Sequence, residues 1–486
     1  MSQRVLIIGA GIGGLATAIR LAHAGYTVEI WEKNQTPGGK AQEFRHLNFR
    51  WDIGPSLITM PHLLRDLFAL CGRPLERYLD LIRLNQICRY FWSDGHQIDE
   101  NAQFFKDPQV TKFLNYARAL YELAEPTFLR HPPDRWIQRI QWHDFILLRH
   151  LPKICNLQTL AEKVNSFFQD PHLRQLFHRY ATYNGSSPFR APAAFNIIPY
   201  VEYRFGAWYP KGGVARIPQA LAQLAKELGV SIHYGRHVAR FQNGEIISYE
   251  GHRITPEIIV ANTDVIQAHR TWLRPYTSKA QQMDIASKEL SCSAYILLLA
   301  VEGQEERLEH HNIFFSDNYE QEFDEIFNQK CLPTDPTIYL SITARTDPQD
   351  APPHHDNYFI LINAPSTAAL YSFPKTLDEY DAAIIDRLEH TFNITSLSKR
   401  IQFRHRITPL DISIRDSTYL GSLYGWASHS IITSLWRPPI QASNPRNLFF
   451  VGGTTHPGGG IPMVILSAQM VAERIMEQFP LDASES

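Results

Sequence analysis

Val5-Leu6-Ile7-Ile8-Gly9-Ala10-Gly11-Ile12-Gly13-Gly14-Leu15 is the stretch on which the fold turns. Four apolar residues in a row, ending at glycine, read as a buried parallel strand. Leu15, Ala18, Ile19 and Ala22 then recur at helical spacing, up to a stop at Gly25. Between strand and helix the glycines match GxGxxG, which carries weight only in this context. Gly9 makes the tight turn, Gly11 lets backbone approach a pyrophosphate, and Gly14 lets helix and strand pack closely. Gly13 belongs to the same turn, whose helix N-terminus holds phosphate charge. Thr27 to Trp31 reads as the next strand, and Glu32 ends it, 18 residues after Gly14. A carboxylate there accepts hydrogen bonds from ribose hydroxyls and repels a 2′-phosphate, which argues against NADP.

Working outward, Gly38-Gly39-Lys40 follows the acidic residue, and Asp52-Ile53-Gly54-Pro55-Ser56 comes next. A simple nicotinamide dehydrogenase needs neither. Alternation of helix and strand returns at Pro218–Leu228 and Val230–Tyr234, then at a hairpin signalled by Asn243-Gly244, and at Ile258–Val260. It returns again at Leu448–Val451 and Met463–Glu477. Nucleotide-type text thus occupies three separated blocks. The expectation is one discontinuous domain, residues 1–74, 206–274 and 406–486, with a second domain, 75–205 and 275–405, inserted into it.

Near the C-terminus stands Gly452-Gly453-Thr454-Thr455-His456-Pro457-Gly458-Gly459-Gly460-Ile461-Pro462. Glycine density of this kind frees backbone amides for a large planar cofactor or its diphosphate arm. With the two N-terminal glycine blocks, Tyr209-Pro210-Lys211-Gly212-Gly213 and Ala181-Thr182-Tyr183-Asn184-Gly185, this text resembles the bacterial phytoene desaturase family of FAD-dependent carotenoid desaturases. The resemblance implies an α/β fold: a Rossmann-like FAD-binding domain of the amine oxidase/carotenoid desaturase type with an inserted α+β substrate domain. It places Gly9, Gly11, Gly13, Gly14, Glu32, Gly39 and Lys40 on FAD, Val238 at the adenine, and Gly453, Pro462 and Met463 near the ribityl and isoalloxazine. Tyr183-Asn184-Gly185-Ser186, Asn196-Ile197-Ile198-Pro199 and the triple glycine after Pro457 resemble the hydroxycarotenoid (methoxyneurosporene) 3,4-desaturases. Thr454-Thr455 departs from the usual text.

The implied reaction removes two hydrogens from adjacent carbons of an acyclic carotenoid. Only one dinucleotide fingerprint is present and no CxxC occurs among the 5 cysteines. Electrons therefore enter FAD from the organic substrate, and quinone or oxygen is the expected acceptor. Glu202 and His456 are candidate proton acceptors, each with a structural hydrogen-bonding role as the alternative. Phe205, Trp208 and Tyr209 are candidates for a substrate tunnel, with ordinary core packing the alternative.

A net charge of −2 gives no general attraction to nucleic acid. The cysteine pattern supports no metal site or disulfide framework, and fits a reducing cytoplasmic setting. No apolar run is long enough to cross a bilayer. Phe128 to Lys153 interleaves aromatics with Arg130, Arg135, Arg139, Arg149 and Lys153, which suits peripheral binding to an anionic membrane surface or, equally simply, an amphipathic helix on the core. Phytoene desaturation proper, a flavin amine oxidase, a polyene saturase or isomerase, and a non-catalytic flavin protein are the competing functions.

Overall fold

The computed structural model describes residues 3–139, 157–366 and 376–481. At its centre lies a five-stranded parallel sheet. β1 (Arg4–Ile8) sits in the middle, flanked by β2 (Thr27–Glu32) and by Ile258–Ala261; Leu448–Phe450 and Ser231–Tyr234 form the edges. Val5 and Ile7 lie opposite Val28 and Ile30 on one side, and Val5 and Ile8 opposite Ile258 and Ala261 on the other. From Val5 onward β1, and all of Ile258–Ala261, are apolar and buried because both faces of the sheet are covered there.

Helix α1 (Ile12–His23) buries nearly all of its surface. It packs against Arg216–Glu227 and the final helix, Ile461–Gln478, in the core cluster on that face of the sheet. Gly25 ends the turn after α1 at φ 96°, where a side chain would be strained. Asn243 and Gly244, both at positive φ, turn Val238–Gln242 back onto Glu245–Ser248, as the dipeptide predicts.

The second sheet has seven strands in the order Ile401–Ile407, Ser293–Glu302, His355–Ala364, Ile338–Ile342, His311–Phe314, Cys88–Phe91, Gln97–Glu100. It is antiparallel except where His311–Phe314 pairs in parallel with Cys88–Phe91. That pair joins the two stretches expected to be inserted. We propose the two-domain division on this basis, with the parallel sheet and the mixed sheet as the two cores. A buried ionic knot ties them: Arg50 donates through Nε to Asp350 at 2.6 Å and through Nη1 to Asp52 at 2.8 Å. Asp52 in turn accepts the Val214 N–H at 2.9 Å.

Candidate cofactor and substrate site

Every strand of the parallel sheet delivers its carboxyl end to one place. Gly9 and Gly11 follow β1, Glu32 to Asn34 end β2, Arg236 to Val238 follow Ser231–Tyr234, Asn262 to Asp264 follow Ile258–Ala261, and Val451 to Gly453 follow Leu448–Phe450. Ligands of open α/β sheets bind at this edge. The segments line a cavity of about 680 Å³, within the range of roughly 300–1,000 Å³ usual for small-molecule sites.

The glycine turn has the geometry its spacing requires. Gly9 has φ +101°, and a Cβ on Gly14 would lie 2.2 Å from the Gly9 carbonyl oxygen. A Cβ on Gly11 would meet Asn262 Oδ1 at 2.6 Å, and one on Gly39 would meet Gly11 Cα at 3.4 Å. Backbone, not side chain, therefore forms this wall. No side chain caps the N-terminus of α1, so its first amides keep their capacity for an anion. Glu32 is 4% exposed; its two oxygens accept the Ala10 N–H at 2.7 Å and the Asn34 N–H at 2.9 Å. Lone pairs remain on both for a diol. Asn262 Oδ1, Thr263 Oγ1 and Asp264 Oδ2 are buried at the cavity wall without partners in the protein. Orphaned polar atoms, an uncapped helix and a wall of glycine fit a dinucleotide.

Gly9, Gly11, Gly13, Glu32, Gly39, Lys40, Val238, Gly453 and Pro462 all line the cavity. Gly14 and Met463 do not: Gly14 makes the helix–strand contact, and Met463 packs on the core around α1. The Lys40 ammonium donates to the Leu423 carbonyl, and burial lowers its pKa, with Asp416 and Asp264 opposing that shift.

The rest of the wall is one face of the mixed sheet. Side chains alternate between faces along a strand, so residues two apart share one. Ala294 and Ile296, Ile313, Tyr339, and Leu361 and Asn363 share this face, register Ala294 with Asn363 and Ile296 with Leu361. A polar group stands beside it. Arg179 is buried and donates through Nε to Tyr90 Oη at 3.0 Å and through Nη2 to Glu100 at 3.5 Å. The Tyr180 hydroxyl donates to Glu100 at 2.8 Å, and Tyr183 donates to Glu202 at 3.2 Å. Arg179, Tyr183 and Glu202 line the cavity. Burial, and then the neighbouring Glu100, push the Glu202 carboxyl up to about 8, while Arg179 opposes them.

Of the two candidate proton acceptors, only Glu202 reaches this cavity. His456 is 3% exposed and sits outside the lining. Its Nε2 lies 3.0 Å from the His131 carbonyl oxygen and its ring meets Trp136 edge-on. Burial lowers its pKa to about 4. Phe205, Trp208 and Tyr209 also lie outside the lining. Tyr209 is fully buried, donating to Asp350 at 2.9 Å in the ionic knot, and core packing is the role the structure gives it.

The reading of Phe128–Lys153 lies in large part outside the described residues. In the part described, Phe128 and Trp136 are buried against each other, Arg130 pairs with Glu125, and Arg135 pairs with Glu477. Here Pro133–Arg139 is a short helix, and Phe128 and Trp136 pack against Leu123, Ala124 and Leu435. Sequence reasoning missed Arg179, His311, Tyr339 and Asn262–Asp264. Only the last had a usable signal, as polar residues at the carboxyl end of an apolar strand. No described helix is long and apolar enough to cross a membrane.

Comparison with known proteins agrees with this geometry. The family described as flavin containing amine oxidoreductase matches residues 12–262. The chain is 34% identical to a 1-hydroxycarotenoid 3,4-desaturase of Flavobacterium sp. (strain P99-3), covering 97% of this chain and 99% of the relative. It is 34% identical to a 4,4′-diapolycopene oxygenase of Methylomonas sp., over 98% of both. In fold it resembles cyclohexylamine oxidase from Brevibacterium oxydans IH-35A, with a TM-score of 0.61 at 15% identity, covering 99% of this chain and 100% of that one.

Proposed function

Because this chain belongs to the flavin containing amine oxidoreductase family, we propose that it is an FAD-dependent desaturase of an acyclic carotenoid, acting on a molecule with a hydroxylated or methoxylated end. The observation that carries the reading is a single cavity, one wall built from dinucleotide-binding turns and the other from the largely apolar face of the mixed sheet. Curated relatives that match end to end and are named for carotenoid desaturation and oxygenation support the same substrate class.

Bound FAD would supply the oxidising power, accepting one of the two hydrogens together with both electrons as a hydride, while the other hydrogen leaves as a proton. Glu32 would hold the ribose hydroxyls, the amides at the start of α1 and Gly39 would face the diphosphate, and Lys40 would add positive charge nearby. Val238 would meet the adenine, and Gly453 and Pro462 would lie by the ring system. Ala294, Ile296, Ile313 and Leu361 exclude water and orient the polyene. Glu202, when ionised, takes the proton at its carboxylate. The charge left on a polyene spreads over the conjugated chain, so no stronger base is required.

A lipid-dissolved substrate calls for contact with a membrane surface. Exposed Ile432 and Trp436, beside Trp136 with the two indole rings 5.9 Å apart, support that contact. Quinone or oxygen is the electron acceptor in this reading. Expression in cells that make different acyclic carotenoids tests it. The expected product absorbs at longer wavelength than a hydroxylated substrate. An aldehyde product would instead favour the oxygenase chemistry named for the Methylomonas relative. Unchanged pigment in every strain would refute both.

A further inference from the structure

The apolar face of the mixed sheet carries a hydrogen-bonded chain that hydrocarbon has no use for. His311 and Tyr339 are diagonal neighbours on adjacent strands: His311 lies opposite Ser341, and Tyr339 opposite Ile313. His311 Nδ1 is 2.8 Å from the Tyr339 hydroxyl, which donates to Ser56 Oγ at 2.7 Å. All three residues line the cavity. Ser56 follows the Gly54-Pro55 turn of the dinucleotide domain, so the chain crosses from one domain to the other.

The direction of donation places a proton on Nδ1 of the imidazole. The Tyr339 hydrogen is used on Ser56, so the Tyr339 oxygen accepts from His311 Nδ1–H. Burial, with His310 and Arg179 nearby, holds His311 well below its usual pKa, and the ring is neutral. Its Nε2 is then a bare acceptor. That atom is buried and has no partner in the protein, and the residue is 3% exposed. A buried acceptor left without a donor is costly, so such a group is kept for a ligand that supplies one. A cationic donor is disfavoured, because the Arg179 charge already opposes protonation of this ring. The group must not be a carboxylate, which would face the lone pair. A hydroxyl on an otherwise apolar molecule meets both conditions.

We propose that His311, oriented by Tyr339 and Ser56, is the hydrogen-bond acceptor that selects polyenes carrying a hydroxyl group over the corresponding hydrocarbons. The proposal rests on the reading that this chain oxidises polyenes. His311 is the specificity-determining residue, and Tyr339 and Ser56 are positioning residues.

The test compares anaerobic flavin reduction by a hydroxylated acyclic carotenoid with reduction by its hydrocarbon counterpart, in detergent, using the FAD-loaded enzyme. Wild type is expected to prefer the hydroxylated substrate, as the ratio of rate to apparent Kd. His311→Leu should lower that preference at least tenfold, and His311→Gln, which keeps an acceptor, should restore part of it. Tyr339→Phe should lower it less, because it frees the tautomer without removing the acceptor. FAD content and melting temperature of each variant check folding, and if the leucine variant fails to fold, the glutamine and Tyr339→Phe variants decide. A preference unchanged in the variants, or a loss shared equally by both substrates, overturns the assignment of His311. A wild type that reduces its flavin with both polyenes but without preference overturns it as well. A wild type that reacts with neither overturns the polyene reading beneath it.

Discussion

Glu32 holds two backbone amides as well as the space for a ribose, and its removal acts on both. Glu32→Ala is expected to weaken FAD binding by roughly 1–3 kcal/mol, by loss of charge-assisted hydrogen bonds. Titration of apoprotein with FAD reads this directly, and equal affinity in wild type and variant would remove Glu32 from the cofactor site. Glu202 makes a prediction of opposite kind, in pH. Its carboxyl is raised to about 8, so at neutral pH it is mostly protonated and unable to accept a proton. The rate of flavin reduction should therefore rise with pH and level off above about 8. Glu202→Gln should flatten that profile and slow the reaction; a profile unchanged in the variant would leave Glu202 a structural role. The two carboxylates differ in legibility for a physical reason. Glu32 is fixed by its distance from a glycine motif and the end of a strand. Glu202 owes its raised pKa to burial and then to Glu100, against the opposing Arg179 and Tyr183, an environment that tertiary folding alone assembles.

Elements were readable where local chemistry decides them. The strand–turn–helix at Val5 to Leu15, the hairpin at Asn243-Gly244 and the final helix all follow from glycine conformation and apolar period. Tyr209 and His456 were less readable, because an aromatic beside a glycine block suits a tunnel wall and a core equally well, and a histidine in a glycine-rich turn suits proton transfer and a structural hydrogen bond equally well. The deciding partners, Asp350 for Tyr209 and the His131 carbonyl for His456, lie 141 and 325 residues away in sequence. The short helix Ile431–Leu435 carries a prediction at this scale. Leu435 packs inward on the Phe128–Trp136 cluster, while Ile432 is 68% and Trp436 54% exposed. Replacing Ile432 and Trp436 together by glutamate should reduce flotation with liposomes, since charge opposes insertion of an apolar edge into lipid. FAD content should not change. Flotation equal to wild type would exclude this helix from the membrane contact.

At the scale of the whole molecule, two sheets with different histories in the sequence enclose one cavity. The parallel sheet draws its strands from three distant blocks, and the mixed sheet joins both intervening stretches through His311–Phe314 and Cys88–Phe91. The first arrangement was legible because helix–strand alternation recurs in all three blocks, with glycine-rich turns marking the first and the last. The face of the second sheet was not, because Ala294, Ile313, Tyr339 and Leu361 become neighbours only through strand order and register. The central claim is that this cavity brings a polyene against FAD and draws its electrons. The direct measurement is anaerobic mixing of the oxidised enzyme with a hydroxylated acyclic carotenoid, following flavin and polyene absorbance together. The account predicts bleaching of the flavin with a matching shift of the polyene to longer wavelength, and no bleaching by simple amines. Bleaching by amines alone, or only by NADPH, would contradict it.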